Sequence, residues 1–136
     1  MAATLKLEIV TPEEKIYSED VEMVTLPGSE GDLGVYPNHV PLLTAIKPGE
    51  LRVIKGGQET TMAVGEGFVE IKGDAVSVLT DMALSAEKID VAAAEAAVER
   101  AKAAMKEDMG KEEVAAIQAS LQKALVQLHV KRRRHS

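Results

Sequence analysis

Hydrophobic and polar positions follow two different periods along this chain. Leu5, Leu7 and Ile9 alternate with Lys6 and Glu8, the two-residue period of a half-buried strand. Val21 to Leu26 is a second β-rich run. Leu51 to Lys55, then Gly56-Gly57, then Glu59 to Val64 predicts a hairpin with a two-residue turn. Phe68 to Lys72, Gly73-Asp74 and Val76 to Thr80 predict another. Short strands with closely spaced turn signals predict an antiparallel β-sandwich or a barrel. From residue 85 onward the period changes. Val114, Ile117, Leu121, Ala124, Leu125 and Leu128 recur at three- and four-residue spacing, one apolar stripe of a helix. Residues 89–107 are rich in Ala, Glu and Lys, strong helix formers. The break at Asp108-Met109-Gly110-Lys111 predicts an antiparallel two-helix hairpin. The expected division is a β-sandwich domain over 1–84 and a helical hairpin over 85–136.

Composition sharpens that division. All three aromatics (Tyr17, Tyr36 and Phe68), all five prolines and nine of the ten glycines precede residue 84. Residues 85–136 hold 13 alanines, no proline and no aromatic. The net charge of −6 is the sum of −8 before residue 85 and +2 after it, so an acidic body carries a basic arm. The first helix offers mainly Ile89, Val98 and Met105 as large apolar residues. Burying a Leu-sized side chain stabilises by about 1.5–3 kcal/mol, and an alanine methyl by much less. The pattern therefore predicts a hairpin that docks weakly and can detach.

Candidate chemistry is sparse. The chain has no Cys, which excludes disulfides, zinc-thiolate sites and cysteine nucleophiles. No apolar stretch approaches the length of a membrane span. The N-terminus carries neither a secretory pattern nor the Arg- and Ser-rich pattern of a transit peptide, so the expectation is an intracellular soluble protein. His39, His129 and His135 share no metal-ligand spacing. His39 reads as a loop histidine in Asn38-His39-Val40-Pro41. Gly28, Gly31 and Gly34 form neither a dinucleotide fingerprint nor a phosphate loop, and read as a tight, irregular loop. Gly65-Glu66-Gly67 is a similar decoy, since it opens no helix. No catalytic constellation is present, and no cofactor is implied. Lys131-Arg132-Arg133-Arg134 reads either as a solvated helix end or as an arm for an acidic protein surface. A nucleic-acid partner is disfavoured by the acidic balance and the lack of stacking aromatics near the arm.

The 22-residue stretch Gly28-Ser29-Glu30-Gly31-Asp32-Leu33-Gly34-Val35-Tyr36-Pro37-Asn38-His39-Val40-Pro41-Leu42-Leu43-Thr44-Ala45-Ile46-Lys47-Pro48-Gly49 resembles the signature of the epsilon subunits of bacterial F-type ATP synthases. Leu7 to Glu13, Val64 to Ile71 and Val78 to Asp81 resemble further strands of that family, and Ile89-Asp90 falls where its helical hairpin begins. The resemblance covers essentially the whole chain. It implies a non-catalytic subunit of the rotor's central stalk. Its sandwich would bind the gamma subunit and rest on the c-ring, with Asp32 and His39 as contacts and Glu30 and Tyr36 beside them. Its helices would dock compactly, or extend into the catalytic head and block ATP hydrolysis. Lys123, Lys131, Arg132, Arg133 and Arg134 are then the candidates for meeting an acidic loop of the beta subunit, with alpha subunits nearby. The implied location is the cytoplasmic face of a bacterial inner membrane, or a thylakoid membrane, reached only through the complex.

Some members of the family bind ATP through a motif of the form Ile/Leu-Asp-x-x-Arg-Ala. Here Ile89, Asp90 and Ala93 occupy its positions, and alanine replaces the arginine. On the second helix the matching positions are Lys123 and Gln127. Without guanidinium forks, phosphate binding is expected to be weak or absent. The competing reading is a free-standing β-sandwich binding module with a mobile basic helical arm. Co-purification with a large ATPase complex separates the two.

Overall fold

The computed structural model describes residues 3–107 and 109–134, with 133 and 134 described by backbone alone. The alternation near the N-terminus becomes β1 (Leu5–Val10), which buries Leu5, Leu7 and Ile9. It pairs antiparallel with β2 (Lys15–Val21). The turn between them closes on Thr11, whose N–H and hydroxyl donate to the Glu14 carbonyl at 2.9 and 3.2 Å.

The expected strand over Val21 to Leu26 is in fact two strands divided at Glu22. β3 (Met23–Gly28) starts one residue after β2 ends, and the chain changes layer there. The Glu22 N–H donates to the Ile54 carbonyl at 2.8 Å, and its carboxylate accepts from the Gly57 N–H at 2.9 Å. Those bonds hold the crossing. β3 then pairs with β4 (Gly31–Val35) on one edge and with β6 (Gly49–Lys55) on the other. β6 turns through Gly56-Gly57 into β7 (Gln58–Val64). Both glycines have positive φ, 59° and 77°, as a two-residue hairpin turn of the I′ kind requires. β10 (Ala83–Ser85) adds to the far edge of β7.

The second layer holds β5 (His39–Ile46), β8 (Gly67–Gly73) and β9 (Ala75–Thr80), and then β1, which runs parallel to β9. One residue pair, Gly28 with Ile46, joins β3 to β5. The ten strands are therefore one sheet folded double into a β-sandwich. The opposite seam is bridged by the Lys55 ammonium on β6 and the Glu19 carboxylate on β2. That hydrogen bond pushes Lys55 above its ordinary range. Burial, with Glu19 beside it, pushes Tyr17 up as well. Between the layers lies a continuous core that includes Leu7, Ile9, Leu26, Leu51, Val53, Val69, Ile71 and Val78.

A 3-10 turn (Ala86–Lys88) leads to α1 (Val91–Ala104) and α2 (Lys111–Arg134). The first helix is shorter than the expected 89–107. Asp90 caps it by accepting from the Ala93 N–H at 3.0 Å, and Ile89 lies outside it. The two helices share a small core of Ala94, Val98, Ala124 and Leu128, flanked by Val91, Ala97 and Leu121. Leu125, expected on the apolar stripe, is 46% exposed. A second face of α2 meets the sandwich instead. Val130 is fully buried there with Ala63, Ala86 and Ile89, and Val126, Met82 and Leu84 pack alongside. Among the described residues no helix is long and apolar enough to cross a membrane.

Two glycines test the packing. A Cβ on Gly67 would lie 1.8 Å from the Leu79 carbonyl oxygen, whereas one on Gly110 would meet nothing within 4 Å. Gly67→Ala is expected to cost about 2–3 kcal/mol in urea denaturation, because backbone must move. Gly110→Ala, at the N-cap of α2 with open space around it, is expected to cost less than about 1 kcal/mol. Equal effects at the two positions would contradict the β8–β9 register.

Candidate functional site

The segment expected to be an irregular loop at residues 28–34 is a β-hairpin. Gly28 pairs with Gly31, and Ser29 and Glu30 form its exposed tip. Gly31 takes φ 127°, and a Cβ on Gly28 would press to 2.6 Å from the Gly31 carbonyl oxygen. The glycines are thus needed for the tight tip rather than for a phosphate. Asp32 lies exposed on β4, with its carboxylate 3.8 Å from the Arg52 guanidinium. Arg52 also reaches Glu50 at 3.6 Å. Among the described strands β4 pairs only with β3, so its other edge is open. Charge on such an edge discourages further strand pairing.

Tyr36 follows β4 and is 61% exposed. Asn38, at φ 65°, donates its N–H to the Asp74 carboxylate at 2.8 Å and so ties this turn to the β8–β9 turn. His39 is the first residue of β5, not a loop residue, and pairs with Gly73. Its Nδ1 lies 2.6 Å from the Val40 carbonyl, which requires a hydrogen on Nδ1. The four residues of the expected contact do not cluster. Glu30 sits at the end where Ile46 pairs with Gly67, and His39 at the end where it pairs with Gly73. Six strand residues separate those ends, about 20 Å. Tyr36 lies near His39's end and Asp32 toward Glu30's.

Two of the five basic candidates, Lys123 and Lys131, occupy the sandwich-facing side of α2. Lys123 Nζ lies 2.8 Å from an Asp81 carboxylate oxygen. Gln127 donates to the Met82 sulfur at 3.2 Å, and Lys131 to the Ala86 carbonyl at 2.9 Å. The three side chains stand at i, i+4 and i+8, one row of a helix. They meet three points on the single segment between β9 and α1. Arg132 is exposed. Arg133 and Arg134 belong to the last turn of α2, and their side chains lie outside the described residues. The family resemblance marks Lys123 and Lys131 as basic candidates. What sequence reasoning missed is their common partner segment, because nothing local in 81–86 announces a docking surface.

The residues at the nucleotide-motif positions have other employment. Ile89 is buried against Val130 and Ala63, Asp90 caps α1, and Ala93 is exposed with only a methyl to offer. One further feature was not foreseen. Phe68 and Leu79 are cross-strand partners on the outer face of the second layer, and both remain exposed, at 57% and 53%. Leu43 on β5 is also exposed.

Comparison with known proteins agrees across the chain. Residues 4–86 match the β-sandwich domain of the ATP synthase delta/epsilon chain, and residues 87–132 match its long alpha-helix domain. The ATP synthase epsilon chain of Laribacter hongkongensis is 43% identical over 98% of this chain and 99% of its own. That of Dehalococcoides mccartyi is 45% identical over 98% of this chain and 97% of its own. A chain in the mitochondrial ATP synthase of Euglena gracilis, in an assembly that includes the c-ring, superposes with a TM-score of 0.74 at 25% identity, covering 88% of this chain and 76% of that one. One from the central stalk and c-ring of the Tetrahymena thermophila enzyme has a TM-score of 0.67 at 12% identity, a likeness of fold, over 95% of this chain and 97% of its own.

The occupied roles of Asp90 and Ile89 lead to a test. Calorimetric titration with ATP in the micromolar range is expected to show no binding. Asp90→Ala is expected to lower stability by about 1 kcal/mol through loss of the cap. A micromolar affinity that Asp90→Ala abolishes would contradict this assignment.

Proposed function

The chain belongs to the epsilon subunits of F-type ATP synthases, and from that premise we propose that it is a non-catalytic rotor subunit whose helical hairpin restrains ATP hydrolysis. The observation that carries this reading is the seam between α2 and the sandwich. It consists of two buried branched residues, Val130 and Ile89, a few small or half-buried neighbours and three polar contacts. Each buried valine or isoleucine stabilises by about 1.5–3 kcal/mol, and half-exposed ion pairs by less than about 1 kcal/mol. A contact of that size holds a hairpin most of the time and still lets it leave. A regulator with two positions needs two states within a few kcal/mol of each other.

In the proposed extended state, the basic row of α2 turns from the sandwich to an acidic loop of a beta subunit. The arm's net charge of +2 supports this, since a basic row is complementary to an acidic loop. In the proposed stalk, the exposed apolar pair Phe68 and Leu79 lies against the gamma subunit, and burial of an exposed aromatic and a leucine supplies the attraction. The open edge of β4 faces the c-ring. The spread of about 20 Å between the candidates supports two contact points. Glu30 and Asp32 make one, and Tyr36 and His39, at the opposite end of the sandwich, make the other. The location follows from the assembly: the subunit sits at the cytoplasmic face of a bacterial inner membrane, or at a thylakoid membrane, held there by its partners.

Removing residues 89–136 is expected to leave assembly intact and to raise ATP hydrolysis by the assembled enzyme several-fold. Asp32→Arg is expected to weaken coupling of proton flow to ATP synthesis without unfolding the sandwich, since Asp32 is exposed. Hydrolysis that does not change on truncation would contradict the inhibitory role. Full coupling with Asp32→Arg would contradict the ring contact.

A further inference from the structure

Gly65 and Asp81 carry an arrangement that the rotor reading does not explain by itself. A Cβ on Gly65 would lie 2.0 Å from an Asp81 carboxylate oxygen, so the carboxylate rests in the space that the missing side chain leaves. The surrounding backbone is braced. The Gly65 N–H donates to the Met82 carbonyl at 3.0 Å, and the Asp81 N–H donates to the Glu66 carbonyl at 3.2 Å. Thr80, a buried polar residue, lies next to Asp81, and its hydroxyl sits between the Glu66 and Met82 carbonyls at 2.9 and 3.2 Å. Asp81 therefore stands on a rigid turn with its carboxylate presented outward, and Lys123 meets it at 2.8 Å.

We propose that Asp81, seated against Gly65, is the docking receptor for Lys123 and sets the fraction of time that the hairpin spends on the sandwich. A lysine ammonium is one compact charge. While it binds Asp81 it is not available to an acidic surface on another subunit. Leaving the sandwich and meeting the catalytic head are then competing uses of one cation. The pair is only partly buried, with side-chain exposures of 32% for Lys123 and 44% for Asp81, so solvent and salt weaken it. That suits a latch which must open. This inference rests on the hairpin being a moving regulator, and its test is independent of that role.

The chain has no Cys, so Ala63→Cys supplies a single thiol. Ala63 is fully buried beneath the hairpin beside Val130, and alkylation of a thiol there reports how often the hairpin lifts. In the full-length isolated chain carrying Ala63→Cys, Asp81→Asn and Lys123→Gln are each expected to speed alkylation about two- to fivefold, the range for a half-exposed pair. The double variant is expected to be no faster than the quicker single one, as coupled partners require. Gly65→Ala, which displaces the carboxylate while keeping both charges, is expected to give a similar acceleration. Unchanged rates in both single variants, or effects that multiply in the double variant, overturn the latch. If these rates behave as expected while truncation leaves hydrolysis by the assembled enzyme unchanged, the latch stands and the inhibitory role falls.

Discussion

The seam between α2 and β7 is the contact on which the rest of the arrangement depends. The end of β7 is buried on both faces: Met62 and Val64 point into the sandwich core, while Ala63 points out beneath Val130. The cover over that end is a helix. Because the residue beneath is alanine, that contact buries little apolar area. Packing there sets the Asp81 carboxylate, the Met82 sulfur and the Ala86 carbonyl within reach of Lys123, Gln127 and Lys131. The polar row is thus a consequence of the small apolar contact.

The balance of forces follows. The hairpin's own core is made of two alanines, a valine and a leucine, and its contact with the sandwich centres on one valine and one isoleucine. The sandwich core, by contrast, closes with leucine, isoleucine and valine from nine strands. One body is firm, and the other is coherent but loosely attached. The division of labour proposed for a rotor subunit has the same form: a fixed platform on the stalk, and a helical arm whose position depends on small differences.

Much of the fold was legible in the sequence where a local rule decided it. Leu5, Leu7 and Ile9 face the core because strand side chains alternate, and Gly56-Gly57 turns because both positions need positive φ. Legibility failed where tertiary context decides. β2 carries Ser18, Glu19 and Asp20 and is a strand only because β1 pairs with it. Glu22 splits an apparently continuous run because the chain changes layer there. Glycine-rich β4 looks like a loop, yet is held flat by β3. The candidate residues were drawn from one stretch of sequence, but a strand sets Glu30 and His39 far apart. The docking face of α2 was hidden because its polar row, Lys123, Gln127 and Lys131, looks like solvated surface until Asp81, Met82 and Ala86 are placed beside it.

The central claim is that the hairpin moves between the sandwich and the catalytic head. The most direct measurement is the distance between a fluorophore on Glu59, exposed on β7, and one on Gln118 of α2, followed in single assembled enzymes. Two populations are expected. A short distance should dominate while ATP is made or freely hydrolysed, and a longer one when hydrolysis is blocked. A single short distance under all of these conditions would contradict the account.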